Sequence, residues 1–300
     1  RDTPLTLDRE KFIDNLRTIL SGCTTINQGQ FFEAVHAGYE QTRGVDFTKK
    51  SLIFYHLHKV DIYSLSNFLR YYPGAQLLTI LRNPLQSCES WALKATLSKQ
   101  QNKYIIYAEV VGRMNFMLVN LHNPAFSEQV SIGLRLEDLK TEPRETLGCL
   151  CEYLGIDQSP SLYQSTMQGL KWWGDPISSL YGKTQTEFDA ANDPTAMEVG
   201  SVFSEHDQFI LSTLFYPLSA RFGYVDKDEV QFRNNLKQIR PYLERPLDFE
   251  SKLSKDFPSD YPELLQTEAF KALHAVLLGV WYVLDSHGTY PHMMKVLPGT

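Results

Sequence analysis

The 300-residue chain has little of what would make several functions legible at sight. It holds four cysteines, Cys23, Cys88, Cys149 and Cys151, and none has the spacing of a metal-binding pair. Cys149 and Cys151 fall in a helical pattern that points their thiols apart, so reduced core cysteines are expected. No stretch approaches the roughly 20 apolar residues that a membrane-spanning helix needs. The longest, Ala275 to Leu284, reads as a buried helix segment. No Asn-x-Ser/Thr acceptor occurs, which disfavours a secreted, glycosylated chain. A Gly-x-x-x-x-Gly-Lys-Ser/Thr loop is also missing, which disfavours a kinase of the P-loop type. No internal repeat is present. Basic residues are in deficit, 29 against 35 acidic, for a formal charge of −6 and a pI near 5.8. That balance excludes a general nucleic-acid or acidic-membrane binder and makes any phosphate site a local one.

What is present describes a globular protein. Hydrophobic residues make up 43% and charged residues 21%, enough to bury a core and inconsistent with disorder. These properties predict a soluble, cytoplasmic domain. Phe12, Ile13, Leu16, Ile19 and Leu20 recur at helical spacing before a stop at Gly22, and a second helix is predicted around Phe31 to Tyr39. Leu52-Ile53-Phe54-Tyr55 reads as a strand, Leu65 to Tyr72 as a helix, and Gln76 to Leu81 as the next strand. Helical patterns follow through Trp91 and from Ile105 to Leu121. Then come a strand at Val130 to Leu136 and a helix from Pro143 to Leu154. Strands alternating with helices imply a parallel sheet in an α/β fold, a three-layer sandwich of central sheet and flanking helices. Beyond Tyr224 the pattern turns helical. The polar stretch Gly182 to Ser201 reads as a loop over a site.

The sharpest local feature is Arg82-Asn83-Pro84, directly after the strand Gln76 to Leu81, with Ser90 eight residues beyond the arginine. Ligands of open α/β sheets bind beyond the carboxyl ends of the strands. A guanidinium there offers a planar fork of donors to phosphate, and a hydroxyl about two turns into the next helix can donate to the same anion.

From Ile53 to Ser90 the chain resembles the sulfotransferases that use 3′-phosphoadenosine-5′-phosphosulfate (PAPS). Their 3′-phosphate segment has a strand, an arginine and then a serine at this spacing. The stretches Arg135-Leu136-Glu137-Asp138-Leu139-Lys140, Pro143 to Leu147 and Tyr153 to Ile156 resemble that family's strand, acidic loop and helix. Gly169 to Asp175, with Trp172 and Trp173, and Phe222-Gly223-Tyr224 are similar to further segments of it. The matches run in the family's order over roughly residues 50 to 225. The resemblance implies a sulfotransferase-like domain over residues 1–225, and the apolar pattern beyond it predicts a helical extension over 226–300 packed on that domain.

The family's opening strand and its loop resembling Pro-Arg-Ser-Gly-Thr-Thr, which hold the 5′-phosphosulfate, do not occur here. Since the chain opens at Arg1 without a methionine, the loop is expected upstream of Arg1. The resemblance also implies a histidine base at the end of the Leu52 to Tyr55 strand. His56 and His58, two apart, would share a face. Imidazole suits proton transfer near neutral pH. His58, twenty-four residues before Arg82, lies nearer the family's spacing than His56 and is favoured.

The implied reaction moves a sulfuryl group from PAPS to the hydroxyl of a small-molecule, lipid or carbohydrate acceptor and leaves adenosine 3′,5′-bisphosphate (PAP), without a metal. Arg82 and Ser90 would hold the 3′-phosphate, with Lys183 as a second phosphate contact. Trp173, beside Trp172, would stack on adenine or a sugar ring, or else fill a core. Glu137 and Asp138 are expected to orient the loop they sit in. The alternative is a non-catalytic nucleotide-binding or interaction domain of the same fold.

Overall fold

A computed structural model describes residues 6–57, 62–97, 103–164, 166–167, 170–171, 199–255, 268 and 270–298. Along the chain run α1 (Arg9–Leu20), α2 (Gln28–Thr42), α3 (Ile62–Tyr71), β1 (Leu77–Leu81), α4 (Pro84–Leu97) and α5 (Lys103–Asn120). Then follow β2 (Ser131–Arg135), α6 (Leu136–Thr141), α7 (Pro143–Leu154), and a small antiparallel hairpin of β3 (Thr166–Met167) and β4 (Leu170–Lys171). The chain continues through α8 (Glu205–Arg221), α9 (Glu229–Ile239), α10 (Asp248–Lys255), α11 (Phe270–His287) and β5 (Lys295–Val296). The described residues form a mixed α/β fold, mostly helical, with a small three-stranded parallel sheet. Two compact units divide it: residues 1–75 with 160–188, and residues 76–159 with 189–300.

In the first unit, the Asp8 carboxylate caps α1 by accepting the Lys11 N–H at 3.1 Å, and the helix stops before Gly22, whose φ of +89° suits glycine. α2 opens on a reciprocal box: Asn27 accepts the Gln30 N–H at 2.9 Å and Gln30 accepts the Asn27 N–H at 3.0 Å. α1 crosses α2 at Gly38, where a Cβ would stand 3.4 Å from the Phe12 ring and 3.7 Å from the Leu16 backbone. Phe32, Tyr55, Phe68 and Tyr72 then tie α2, residue 55 and α3 together through edge-on and tilted ring contacts, Phe32 lying 5.2 Å from Tyr55 and 5.6 Å from Phe68.

One expectation fails here. Leu52 to Tyr55 forms no strand. Among the described residues no strand pairs with it, so its backbone has no ladder. Leu52, Ile53 and Phe54 stay exposed, beside a cleft that they line with residues of α1 and α2.

In the second unit, β1 and β2 pair in parallel from Leu77 opposite Ser131 to Leu81 opposite Arg135, and β2 pairs with β5 through Ile132 opposite Lys295. The two strands expected within this unit form, in the expected parallel sense. β5 falls in the region read as mostly helical. At the middle of β2 stands Gly133, where a Cβ would approach Leu81, Phe222 and Met294 side-chain atoms at 2.6 to 2.7 Å. Glycine is therefore the residue that lets α8's end and the β5 approach close on the sheet.

The main core lies among helices. Ala92 of α4, Met114 and Leu118 of α5, Leu214 of α8, Leu236 of α9 and Leu277 of α11 share one cluster, in which residues beyond 225 are continuous with those before. Two buried ionisable side chains there, Asp207 and His274, are hydrogen-bonded. Asp207 caps α8 by receiving the Ser204 N–H at 3.2 Å, and it takes the Asp248 and Phe249 N–H groups at 2.7 and 3.0 Å at the start of α10. His274 sets Nδ1 2.6 Å from the Leu243 carbonyl oxygen and Nε2 2.9 Å from the Glu250 carboxylate. All four cysteines are free thiols, and burial pushes Cys88 up to about 12.

Candidate functional site

The carboxyl ends of β1 and β2 gather the polar side chains of the second unit. Beyond Leu81 the chain turns through Arg82, and Asn83 starts α4. Its Oδ1 accepts the Leu85 and Gln86 N–H groups at 3.1 and 3.3 Å, and its carbonyl accepts the Ser87 N–H at 2.9 Å. Pro84, which lacks an N–H, occupies the first helical position at no cost. Beyond β2, Glu137 reaches across to this turn. It accepts the Asn83 N–H at 3.2 Å and the Tyr224 hydroxyl at 2.8 Å, the latter lying 3.4 Å from the Leu81 carbonyl oxygen. Burial, and then the Glu137 carboxylate, raises the Tyr224 phenol well above its ordinary range.

Two arginines stand at these strand ends with different roles. Arg135 is bound into the fold: its Nε donates to Asp138 at 2.7 Å, a second nitrogen pairs with the same carboxylate, and a third lies 3.5 Å from the Phe222 carbonyl oxygen. That pairing raises the Arg135 guanidinium further above its already high value. The acidic stretch, expected as a loop, is the first turn of α6, where Glu137 and Asp138 orient the groups around them. Arg82 is partly exposed, with Nε buried, and lines a cavity of about 240 Å³ together with Thr79, Ser87, Phe116, Asn120 and His292. Most of the remaining wall is apolar, from α5, α8 and the segment Tyr290 to Met294. Burial, with His292 nearby, lowers the His122 imidazole below its ordinary value.

Ser90 is on α4 as expected, half-buried, about 9 Å along the axis from Pro84 at 1.5 Å per residue. It is not among the residues that line the Arg82 cavity; Ser87, one turn earlier, is. The residue between Cys88 and Ser90 is the unforeseen one. Glu89, 1% exposed, receives the N–H groups of Gly200 at 2.9 Å, Val202 at 2.6 Å and Phe203 at 3.2 Å. It pins the chain entering α8 to the helix that carries Ser90. Nothing in the sequence marks this carboxylate, since its donors lie more than a hundred residues away. Asn83 is the residue that could have been found, because Asn-Pro before an amphipathic run is a helix-start signal.

His56 is exposed in the first unit. His58, Trp173 and Lys183 lie outside the described residues, as do Trp172 and all but the last residues of the Gly182 to Ser201 stretch. Arg82 could hold one phosphate through its guanidinium at the cavity. The first-turn N–H groups of Leu85, Gln86 and Ser87 are already taken. Among the described residues no group of three His, Cys, Asp or Glu side chains could hold a metal, and no helix is long and apolar enough to cross a membrane. Comparison of the chain with protein-family models, curated proteins and solved structures finds no match.

Proposed function

We propose that this protein is a cytoplasmic sulfotransferase of three-layer α/β architecture that takes its sulfuryl group from PAPS and delivers it to a hydroxyl. The observation that carries the reading is Arg82 standing at the carboxyl end of a parallel strand, on the rim of a cavity, with a serine-bearing helix following. A doubly charged 3′-phosphate is the group that such a guanidinium selects. Arg82 would hold that phosphate, with Ser87 or Ser90 donating to it. The neutral apolar surround strengthens the contact by excluding water. His58, with His56 beside it in sequence, takes the proton of the acceptor hydroxyl. The acceptor oxygen then forms its bond to sulfur as the bond from sulfur to the bridging phosphate oxygen breaks, and PAP departs with that electron pair. No electrons are exchanged with a redox partner in this step. The resemblance of three sequence stretches, in the order of the PAPS-dependent family, supports the same donor.

The test is thermal stabilisation by PAP against ATP, followed by incubation with labelled PAPS and a mixture of hydroxyl compounds. Stabilisation by PAP but not ATP, with a sulfo-group mass gain in the mixture, is expected. Stabilisation without any mass gain would favour the non-catalytic nucleotide-binding domain. Equal response to ATP and PAP would remove the 3′-phosphate from the account.

A further inference from the structure

α2 and α3 of the first unit frame an aromatic pocket of about 290 Å³. Phe32 of α2, Tyr55, Phe68 and Tyr71 of α3 and Tyr72 after it line the pocket, with Leu65 among them. The volume is at the small end of ligand sites, which begin near roughly 300 Å³, so a small ring compound is what fits. Its walls are fixed before any ligand arrives. The Tyr72 hydroxyl donates to the Gly29 carbonyl oxygen at 2.7 Å, and Gly29 lets α3 close on α2, since a Cβ there would stand 3.0 Å from the Tyr71 Cβ. Phe68 lies 5.4 Å from Tyr55 and 4.9 Å from Tyr72 between ring centroids, so the rings brace one another. Aromatic walls held in this way favour a flat ring, which meets their faces and edges without having to order them.

The rim adds a polar requirement. A guanidinium only donates, so the Asn67 atom that Arg70 meets at 3.1 Å is the carbonyl oxygen. The Asn67 amide nitrogen then donates to the Gln28 carbonyl oxygen at 2.7 Å. That relay ends on Gln28 Nε2, whose two N–H groups meet no acceptor among the described residues. Gln28 and Asn67 both line the pocket, so a ligand there gains by bringing an acceptor.

Charge narrows the class further. Among the described residues no charged side chain lines the pocket. Both signs act on its walls: the Arg70 guanidinium stands 4.9 Å from the Tyr71 ring centroid, and the Glu33 carboxylate acts on the Tyr72 phenol. His36 lies 4.6 Å from the Phe32 ring, and His56 follows Tyr55 in the chain. An ionised ligand would give up its water without gaining a counter-ion in the lining.

We infer that this pocket binds a small, neutral heteroaromatic compound whose ring nitrogen or carbonyl oxygen accepts a hydrogen bond from Gln28. The binding needs no nucleotide.

The test is calorimetric titration of the full chain in neutral buffer with quinoline and naphthalene, which share one shape and differ by a ring nitrogen. Saturable binding of quinoline is expected, with naphthalene at least about fivefold weaker, the scale of one neutral hydrogen bond. Two charged analogues, N-methylquinolinium and naphthoate, should each bind at least about tenfold more weakly than quinoline. Gln28→Leu, at an exposed position, should bring quinoline down to the level of naphthalene and leave naphthalene unchanged. Ser64→Trp, from an exposed wall position of α3, should abolish binding of both. No saturable binding of quinoline, or full binding in folded Ser64→Trp, would overturn the pocket. Equal affinity for quinoline and naphthalene, or quinoline binding that ignores Gln28→Leu, would overturn the acceptor contact. A charged analogue that binds as well as quinoline would overturn the neutral class.

Discussion

The Glu137 carboxylate takes the Tyr224 hydroxyl at 2.8 Å while holding the Asn83 backbone N–H at 3.2 Å. One side chain therefore joins α6, the end of the α8 region and the turn that carries Arg82. Tyr224→Phe should lower stability by about 1.5 kcal/mol, the scale of a hydrogen bond to a charged group. It should also weaken PAP binding, although neither residue faces the cavity, because the Arg82 turn loses part of its support. Denaturant midpoints and PAP titrations on the same variant check both effects; unchanged values in both would refute the coupling.

Arg82→Ala should weaken PAP binding by about 1.5–3 kcal/mol, roughly 10- to 100-fold, with the fold intact. His58→Ala should chiefly lower turnover at near-normal donor affinity. Calorimetric titration with PAP and steady-state assays with labelled PAPS separate the two. Full affinity in the arginine variant would contradict the phosphate role.

Glu89→Ala should cost about 3 kcal/mol or more, since it strands three N–H groups in a place from which water is shut out. Glu89→Gln keeps one acceptor oxygen and should cost less. Chemical denaturation of the three proteins side by side gives the order; equality of wild type and Ala would deny the carboxylate its anchoring role.

Burial, and after it the Glu33 carboxylate, pushes the Tyr72 phenol from the ordinary 10.0 up to about 12. A phenol that ionises later in the folded than in the unfolded chain contributes stability that is whole below pH about 10 and fades as pH climbs toward about 12. Tyr72→Phe should therefore lose stability less steeply than wild type across that window and run parallel to it below. Tyr55, Tyr224 and Tyr290 shift in the same direction, so the difference between the two curves isolates Tyr72. Identical slopes would show that Tyr72 ionises normally.

Local physics was legible without coordinates. The 3.6-residue spacing of Phe12, Leu16 and Leu20, the proline opening α7 and the αL glycine closing it mark their helices directly. The short apolar runs at 77–81 and 131–135 likewise become β1 and β2, and their helical crossovers require the parallel pairing that forms. Arg82's place at a strand end follows from that pattern alone. Other features needed a partner that no local window contains. The apolar run 52–55 has strand composition, yet among the described residues it joins no ladder. Lys295 and Val296 have no strand pattern, yet they pair because Gly133 lets the chain come close. Which arginine is spent on the fold and which faces a cavity depends on Asp138 sitting within reach of Arg135. Whether Glu89 is a surface charge or an anchor depends on backbone N–H groups brought to it from 200–203. Sequence periodicity decides which backbone conformation is cheap, whereas burial and pairing are long-range properties that only the assembled tertiary structure creates.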